Sequence, residues 1–135
     1  DHEAVVAGPA ANASLPVRVA PFIQRMELAL ALADLAVSRS GASVAELAAC
    51  GLPAILVPYP YATENHQEAN AREVVLAGAA TMILDADLTP DSLASGILEL
   101  MDDDDRLRAM AEAARAWARP DAARRITDLI VELAR

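Results

Sequence analysis

Short apolar runs alternate with helical patterns as far as Leu88, and this alternation restricts the possible fold more than any other feature. Three of the five runs are apolar nearly throughout, which is typical of strands that helices cover on both faces. Strands that alternate with helices indicate a parallel sheet with right-handed crossovers. The predicted strands are Ala4–Gly8, Pro16–Pro21, Asp34–Ser38, Ala54–Pro58 and Ala80–Leu84.

Helical patterns fill most of the gaps between the predicted strands and all of the chain after Leu88. Gly51 and Gly78 each follow such a pattern, at the position where a left-handed residue commonly ends a helix. Thr89 and Pro90 form a typical helix start, a threonine cap followed by proline at the first helical position. We therefore expect an α/β fold that ends in an all-helical segment. The predicted helices are Gln24–Ala33, Val44–Ala49, His66–Ala77, Thr89–Met101, Asp104–Ala118 and Pro120–Arg135.

Composition excludes several classes of function. The 135 residues are 55% hydrophobic, enough for one core but not for two. A net charge of −9 argues against a nucleic-acid partner, since a phosphate backbone would be repelled. The single cysteine, Cys50, cannot form an intrachain disulfide, and we expect it to be a small core residue. Without a bilayer-length apolar run or a signal peptide, the chain is expected to be soluble and cytosolic.

A loop of small residues, Arg39–Ser43, lies between a predicted buried strand and a predicted helix start. Such a loop exposes backbone N–H groups in front of a helix dipole, which allows phosphate binding without a lysine, and this chain has no lysine. The same residues allow a purely structural interpretation. Ser43 and Glu46 have the spacing of a capping box, in which each side chain bonds to the other residue's backbone. The residues alone leave both interpretations open.

Polar side chains also follow the predicted strand Ala54–Pro58, at the edge where open α/β sheets bind ligands. His66, Gln67 and Asn70 lie on one or two adjacent faces of a helix start. All three can both donate and accept hydrogen bonds, as sugar hydroxyls do. The alternative is a solvated first helical turn with no ligand.

Other residue clusters indicate no further chemistry. Asp102–Asp105 lacks the spacing of a calcium loop and is expected to cap the helix that follows it. The two histidines, His2 and His66, have no cysteine cluster that could complete a zinc site. We expect no metal ion, no cofactor and no catalytic side chain in this chain.

The sequence Arg39–Ala71, RSGASVAELAACGLPAILVPYPYATENHQEANA, resembles the donor-binding domain of the MurG family, glycosyltransferase family 28. The resemblance extends back to Ala20–Ile23 and forward to Leu76–Ala80. It implies the C-terminal half of a GT-B fold, a Rossmann-like parallel sheet with flanking helices. It also implies a hexosyltransferase of peptidoglycan synthesis and cell wall biogenesis, on which cell shape and division depend. Enzymes of this family transfer N-acetylglucosamine from UDP to a lipid-linked muramyl-pentapeptide, forming lipid II.

The resemblance also implies a role for each candidate site residue. One group would hold the uracil ring, a second the diphosphate, a third the ribose and a fourth the N-acetylglucosamine hydroxyls. In that order the groups are Phe22 and Ile23; Gly41, Ala42 and Ser43, with Arg39 beside them; Glu46; and His66, Gln67 and Asn70. The family usually has one more residue between the positions of Gly41 and Glu46, and we expect this shortening to fall on the diphosphate loop.

The resemblance covers a donor-binding part only. We expect residues 1–88 to form a partial UDP-sugar-binding domain and residues 89–135 to be helices that pack on it. The acceptor would then be held by a missing N-terminal domain, through which the chain is cytoplasmic and peripheral at the inner face of the membrane. The chain would be inactive alone. One alternative is the stand-alone donor-binding subunit of a split glycosyltransferase, docked on a membrane-bound acceptor subunit. Another is an interaction domain that has lost its ligand.

Overall fold

A three-stranded parallel sheet lies at the centre of the computed structural model, which describes residues 14–134. The strands are β1 (Ala36–Ser38), β2 (Ala54–Leu56) and β3 (Ala80–Met82), in the order β1-β2-β3. Along the register, Ala54 of β2 pairs with Ala36 of β1 and with Ala80 of β3. The predicted parallel sheet and three of its predicted strands are therefore confirmed.

Six α-helices accompany the sheet in the described part of the chain. Two of them form the crossovers between neighbouring strands, and the last three follow the sheet without interruption, as the sequence predicts. The helices are α1 (Met26–Leu32), α2 (Ser43–Cys50), α3 (His66–Leu76), α4 (Pro90–Met101), α5 (Asp104–Trp117) and α6 (Ala122–Leu133).

The core lies on both faces of β2, whose three residues are all buried. Because strand side chains alternate between faces, Leu56 joins one cluster and Ile55 the other. Leu56 packs with residues of α2, α3 and α5, whereas Ile55 packs with Leu100 of α4 and Met110 of α5. Helix α5 therefore contributes to both clusters. Its contacts with α2 and α4 attach the C-terminal helices to the sheet.

Helix boundaries follow the signals present in the sequence. Gly51 and Gly78 have φ angles of 65° and 80°, the left-handed geometry expected just past a helix end. Thr89 caps α4 through a reciprocal pair of hydrogen bonds with Ser92. The side chain of Asp103 accepts a hydrogen bond from the backbone of Arg106 at the start of α5. These predicted starts and stops are confirmed.

Two predictions about the first half of the chain are wrong. Residues Pro16–Pro21 form no strand and are exposed throughout. A strand needs a hydrogen-bonded neighbour, and the two prolines of this run have no N–H to donate. Cys50 is exposed rather than buried in the core, because it lies on the outer side of the last turn of α2. The predicted strand Ala4–Gly8 lies outside the described residues.

An apolar stripe runs along helix α6, but it is not buried. Ile126, Leu129 and Ile130 are between 55% and 61% exposed, and no residue of the helix is buried. Packing within residues 14–134 therefore leaves this face of α6 open to solvent.

Candidate functional site

The candidate site lies at the carboxyl ends of the three parallel strands. The loop after β1 (residues 39–42), the loop after β2 (57–65) and the turn after β3 (83–89) all leave the sheet at this edge. In open α/β sheets this edge is where ligands bind. Most of the residues predicted for the site lie in the first two of these loops or in the helix starts that follow them.

The loop after β1 is attached to the first turns of α3 through Ser40. The Ser40 side chain is fully buried, and its hydroxyl donates to the carbonyl of Gln67 at 2.7 Å. In the other direction, Asn70 Nδ2 donates to the carbonyl of Ser40 at 3.3 Å. Two of the residues predicted to bind sugar, Gln67 and Asn70, are therefore held beside the loop predicted to bind diphosphate. The structure brings these two predicted groups together.

The start of α2 shows no capping box. Ala42 occupies the N-cap position in helical geometry and makes no side-chain cap hydrogen bond, so Ser43 is already the first helical residue. The Ser43 hydroxyl instead donates to the carbonyl of Arg39 at 3.2 Å. Glu46 is exposed, with no hydrogen bond from its side chain to any described residue. The structural alternative for Ser43 and Glu46 is therefore wrong.

The backbone of the loop presents N–H groups to solvent. At this end of α2 the first backbone N–H groups that donate hydrogen bonds are those of Val44, to the Gly41 carbonyl, and Ala45, to the Ala42 carbonyl, both at 3.2 Å. Within residues 14–134, no acceptor pairs with the N–H groups of Gly41, Ala42 or Ser43. Consecutive unpaired N–H groups at a helix start favour an anionic ligand.

Gln67 connects the two loops. Its side-chain oxygen accepts a hydrogen bond from the backbone N–H of Tyr59 at 3.0 Å, which fixes the amide orientation. The amide nitrogen is thereby turned toward Gly41, where an added Cβ would lie 3.7 Å from it. Gly41 and the donor end of the Gln67 side chain therefore border the same space.

His66 lies at the outer end of this cluster. Its Nδ1 is 2.7 Å from the carbonyl of Thr63, so Nδ1 carries the proton and the exposed Nε2 is an acceptor in the neutral ring. Glu64 and Asn65 precede the ring with φ angles of 54° and 53°. Left-handed geometry at two successive non-glycine residues costs free energy, less at Asn65 than at Glu64 because asparagine tolerates this region.

Arg39 and Asp85 form an ion pair across the site edge. The Arg39 Nη1 atom lies 2.5 Å from the Asp85 carboxylate and also donates to the carbonyls of Val57 and Pro58, at 3.3 and 3.1 Å. The guanidinium carbon lies 5.7 Å from the centre of the Tyr59 ring. No motif in the sequence marks Asp85. The signal it offers is an acidic residue directly after the predicted strand Ala80–Leu84.

Phe22 and Ile23 stand apart from this hydrogen-bonded cluster. They precede α1 in a segment without regular secondary structure, and they are 75% and 43% exposed. No hydrogen bond among the described residues joins them to the loops after β1 and β2. Exposed apolar side chains of this kind are available to stack on a flat ring.

One titratable group near the cluster is perturbed. Asn65 Nδ2 donates to the Glu68 carboxylate at 2.8 Å, and Arg72 donates to its other oxygen. These two hydrogen bonds hold the pKa of Glu68 below its usual range. Glu68 is therefore a charged, already partnered residue that supports the first turns of α3.

Within residues 14–134, no helix combines the length and the apolar character that crossing a bilayer requires.

Comparison with known proteins shows the family to which the chain belongs. The model of the glycosyltransferase family 28 C-terminal domain matches residues 2–126. Two curated relatives are UDP-N-acetylglucosamine--N-acetylmuramyl-(pentapeptide) pyrophosphoryl-undecaprenol N-acetylglucosamine transferases. The one from Desulforudis audaxviator is 47% identical over 128 residues, 94% of this chain and 34% of the relative. The one from Methylococcus capsulatus is 51% identical over 120 residues, 88% of this chain and 34% of the relative.

Solved structures match in the same way. The crystal structure of MurG from Acinetobacter baumannii superposes with a TM-score of 0.83 at 38% identity, over 95% of this chain and 38% of that one. A glycosyltransferase of kitacinnamycin superposes with a TM-score of 0.64 at 30% identity, over 87% of this chain and 29% of that one. The chain thus spans about a third of the length of the curated relatives it matches. It belongs to glycosyltransferase family 28 and has the fold of the C-terminal domain of MurG.

Proposed function

We propose that this chain is the UDP-N-acetylglucosamine-binding part of an inverting N-acetylglucosaminyltransferase that makes lipid II. The observation that carries the proposal is the attachment of the loop after β1 to α3. Through Ser40, it places unpaired backbone N–H groups beside Gln67 and Asn70. An anion site and a set of sugar-type hydrogen-bonding groups therefore share one edge of the sheet. The N-acetylglucosamine transferase activity of the relatives requires a donor with both features, a diphosphate and a sugar.

Each group has one part of the donor to bind. The N–H groups of the loop would face the diphosphate, and the free carboxylate of Glu46 would accept hydrogen bonds from the ribose hydroxyls. The sugar hydroxyls would meet His66 Nε2 and the two amide side chains. These assignments follow the family resemblance, with Gly41, Ala42 and Ser43 at the diphosphate and Gln67 and Asn70 at the sugar. The resemblance also assigns Phe22 and Ile23 to the uracil ring and puts Arg39 beside the diphosphate.

The acceptor would be bound elsewhere. Relatives are about three times as long as the region that they share with this chain. We propose that an N-terminal acceptor domain binds the lipid-linked substrate and holds the enzyme at the cytoplasmic face of the membrane. Within the present chain, residues 1–88 would form the donor-binding unit and residues 89–135 its helical support. The contacts of α5 with α2 support this division of roles.

Calorimetric titration with UDP, UDP-N-acetylglucosamine and UDP-glucose tests the proposal. We expect all three to bind and UDP-N-acetylglucosamine to bind most tightly. Glu46→Gln should weaken UDP binding by about 10- to 150-fold, because a charge-assisted hydrogen bond contributes about 1.5–3 kcal/mol. Thermal unfolding should be unchanged, since the Glu46 side chain has no hydrogen bond to any described residue.

Glu112→Gln is the matched control, because Glu112 is an exposed glutamate on α5 that forms no described ion pair. It should leave UDP affinity unchanged. Absence of UDP binding by the unsubstituted chain at millimolar concentration would contradict the proposed function. Equal UDP affinity for Glu46→Gln and the parent would remove Glu46 from the site.

A further inference from the structure

One nitrogen atom connects the ends of all three strands. Arg39 follows β1, and its Nη1 donates to the carbonyls of Val57 and Pro58, which follow β2. The same atom pairs with the carboxylate of Asp85, which follows β3, at 2.5 Å. The three loops that border the candidate site are therefore joined at a single point. Asp85 is the acidic member of this junction and belongs to none of the groups assigned to the donor.

The junction continues into the residues proposed to bind the sugar. The Arg39 guanidinium lies over the ring of Tyr59, 5.7 Å from its centre. The backbone N–H of Tyr59 donates to the side-chain oxygen of Gln67 at 3.0 Å. Asp85, Arg39, Tyr59 and Gln67 thus form a continuous series of contacts from the third strand end to α3. Ser40, next to Arg39, closes the loop on the other side through the Gln67 carbonyl.

The arrangement leaves the rest of the guanidinium available. All of the described hydrogen bonds of Arg39 use Nη1, while Nε and Nη2 have no acceptor among residues 14–134. An arginine that is fixed through one nitrogen presents the others in a defined plane, which suits two oxygens of a phosphate. A carboxylate would itself repel a diphosphate. Any benefit of Asp85 to donor binding must therefore act through Arg39.

Stability alone does not explain the ion pair. The Arg39 and Asp85 side chains are 49% and 35% exposed, and ion pairs at such positions contribute little to the free energy of unfolding. Fixing the orientation of a ligand-facing group is a different contribution, because it removes an ordering cost from the binding step.

We propose that Asp85 is a positioning residue of the donor site, which orients Arg39 for the diphosphate and holds the loops after β1 and β2 together. The proposal rests on the proposed function, since it assumes a diphosphate ligand. Asp85→Asn removes the charge at nearly constant volume. Asp85→Glu keeps the charge and should retain much of the UDP affinity that Asp85→Asn loses. Asp87→Asn is the matched control, because Asp87 lies in the same short turn and forms no ion pair with a described residue.

UDP titration of the full chain gives the first measurement. We expect Asp85→Asn to bind UDP about fivefold or more weakly, with Asp87→Asn unchanged. Arg39→Gln combined with Asp85→Asn should be no weaker than Arg39→Gln alone, because both changes remove the same arrangement. The thermal unfolding midpoints of these variants and of the parent should be the same. Equal or tighter UDP binding by Asp85→Asn would overturn the proposal, as would additive losses in the double variant.

Amide hydrogen exchange without ligand gives the second measurement and separates this proposal from the proposed function. The peptide that covers residues 57–67, in which the backbone N–H groups of Val57 and Tyr59 are hydrogen-bonded, should exchange faster in Asp85→Asn than in the parent or in Asp87→Asn. Unchanged exchange overturns the structural junction whether or not UDP binds. If the parent binds no UDP, the proposed function fails. Faster exchange in Asp85→Asn would then still support the junction itself.

Discussion

Ser40 is a completely buried polar side chain, and its position explains why the candidate site holds its shape. Its hydroxyl donates to the Gln67 carbonyl at 2.7 Å, while its own carbonyl accepts from Asn70. A hydroxyl buried without a partner would cost free energy, so the hydrogen bond to Gln67 is what allows this serine to be buried. One small side chain therefore determines the distance between the loop after β1 and α3.

Ser40→Ala should lower the free energy of unfolding by about 0.5–1.5 kcal/mol, because the hydrogen bond from the buried Ser40 hydroxyl to the Gln67 carbonyl is lost. Urea denaturation followed by circular dichroism measures the change. Ser95→Ala is the matched control on α4, where the serine is exposed and makes no described hydrogen bond. It should change stability by less than about 0.5 kcal/mol. Equal stabilities for the two variants would show that the hydrogen bond from the Ser40 hydroxyl does not stabilise the fold.

His66 makes a separate prediction at the same scale. Its Nδ1 is engaged by the Thr63 carbonyl, so the exposed Nε2 is the atom available to a sugar hydroxyl. His66→Ala should weaken UDP-N-acetylglucosamine binding by about 5- to 10-fold, the value of one ordinary hydrogen bond, and leave UDP binding unchanged. Parallel calorimetric titrations with the two ligands give the answer. Equal losses for both would place His66 at the nucleotide instead.

At the scale of elements, two glycines respond oppositely to the same substitution. Gly51 ends α2 with φ of 65°, and a Cβ there would lie 2.5 Å from Arg115 Nε. Gly96 lies inside α4, where a Cβ would meet Ile55 and Ile83 at 3.6 and 3.7 Å, which is ordinary contact. Gly51→Ala should destabilise by about 1–2 kcal/mol, because alanine disfavours left-handed geometry.

Gly96→Ala should stabilise by about 0.5–1 kcal/mol, because a glycine inside a helix carries an entropic cost. Chemical denaturation of the two variants under one set of conditions tests the opposite signs. A loss of stability in Gly96→Ala would mean that α4 packs more tightly against Ile55 and Ile83 than the contact distances indicate.

The stability of the first turns of α3 should depend on pH through Glu68. Hydrogen bonds from Asn65 and Arg72 lower the pKa of Glu68 from its usual value of 4.5. A lowered pKa in the folded state means that the ionised carboxylate stabilises the fold. This contribution is complete above about pH 4.5 and disappears as pH falls through the lower folded-state pKa. Glu68→Gln should therefore be less stable than the parent at neutral pH.

The difference between Glu68→Gln and the parent should vanish in acid, where Glu68 is protonated in both states. Denaturation series at pH 7 and at acidic pH measure it. A difference that is constant with pH would show that the hydrogen bonds, and not the charge, provide the stabilisation.

Local signals in the sequence predicted helix limits well but strand formation less well. Thr89, Gly51 and Gly78 act through their own backbone geometry, so their effect can be deduced without knowing the fold. The run Pro16–Pro21 has strand composition, yet a strand depends on pairing with a neighbour that composition does not reveal. The capping box at Ser43 and Glu46 is also absent. The helix begins one residue earlier than the spacing of Ser43 and Glu46 requires.

The site was predictable in its parts and not in its connections. Sequence position placed Gly41 and His66 after parallel strands, which meet at one edge of the sheet. The pairing of Arg39 with Asp85, 46 residues away, depends on strand order and loop conformation. The positive φ angle of Glu64 carries no residue signature, whereas that of Asn65 suits an asparagine. Long-range contacts and local strain are therefore what the structure adds.

At the scale of the whole molecule, the proposed site is open on one side. Glu46, His66 and Asn70 are exposed, and no described residue covers the edge of the sheet that they border. Apolar side chains are also exposed elsewhere, including Phe22 at 75% and Tyr61 at 83%. Such an open edge suits binding, but it does not exclude water from a reacting sugar, as transfer without hydrolysis requires.

The final prediction is that this chain alone binds donor and transfers no sugar. Inverting transfer needs a base near the acceptor hydroxyl, and the described histidine, His66, is occupied at Nδ1 and assigned to the donor sugar. In two-domain transferases, closure of the second domain supplies both the base and the exclusion of water. A transfer assay with UDP-N-acetylglucosamine and a lipid-linked muramyl-pentapeptide should therefore show no product above background. Joining the chain to the N-terminal region of a family member should restore turnover, and that turnover should be sensitive to Glu46→Gln. Turnover by the 135-residue chain without that region would contradict the division of labour proposed for it.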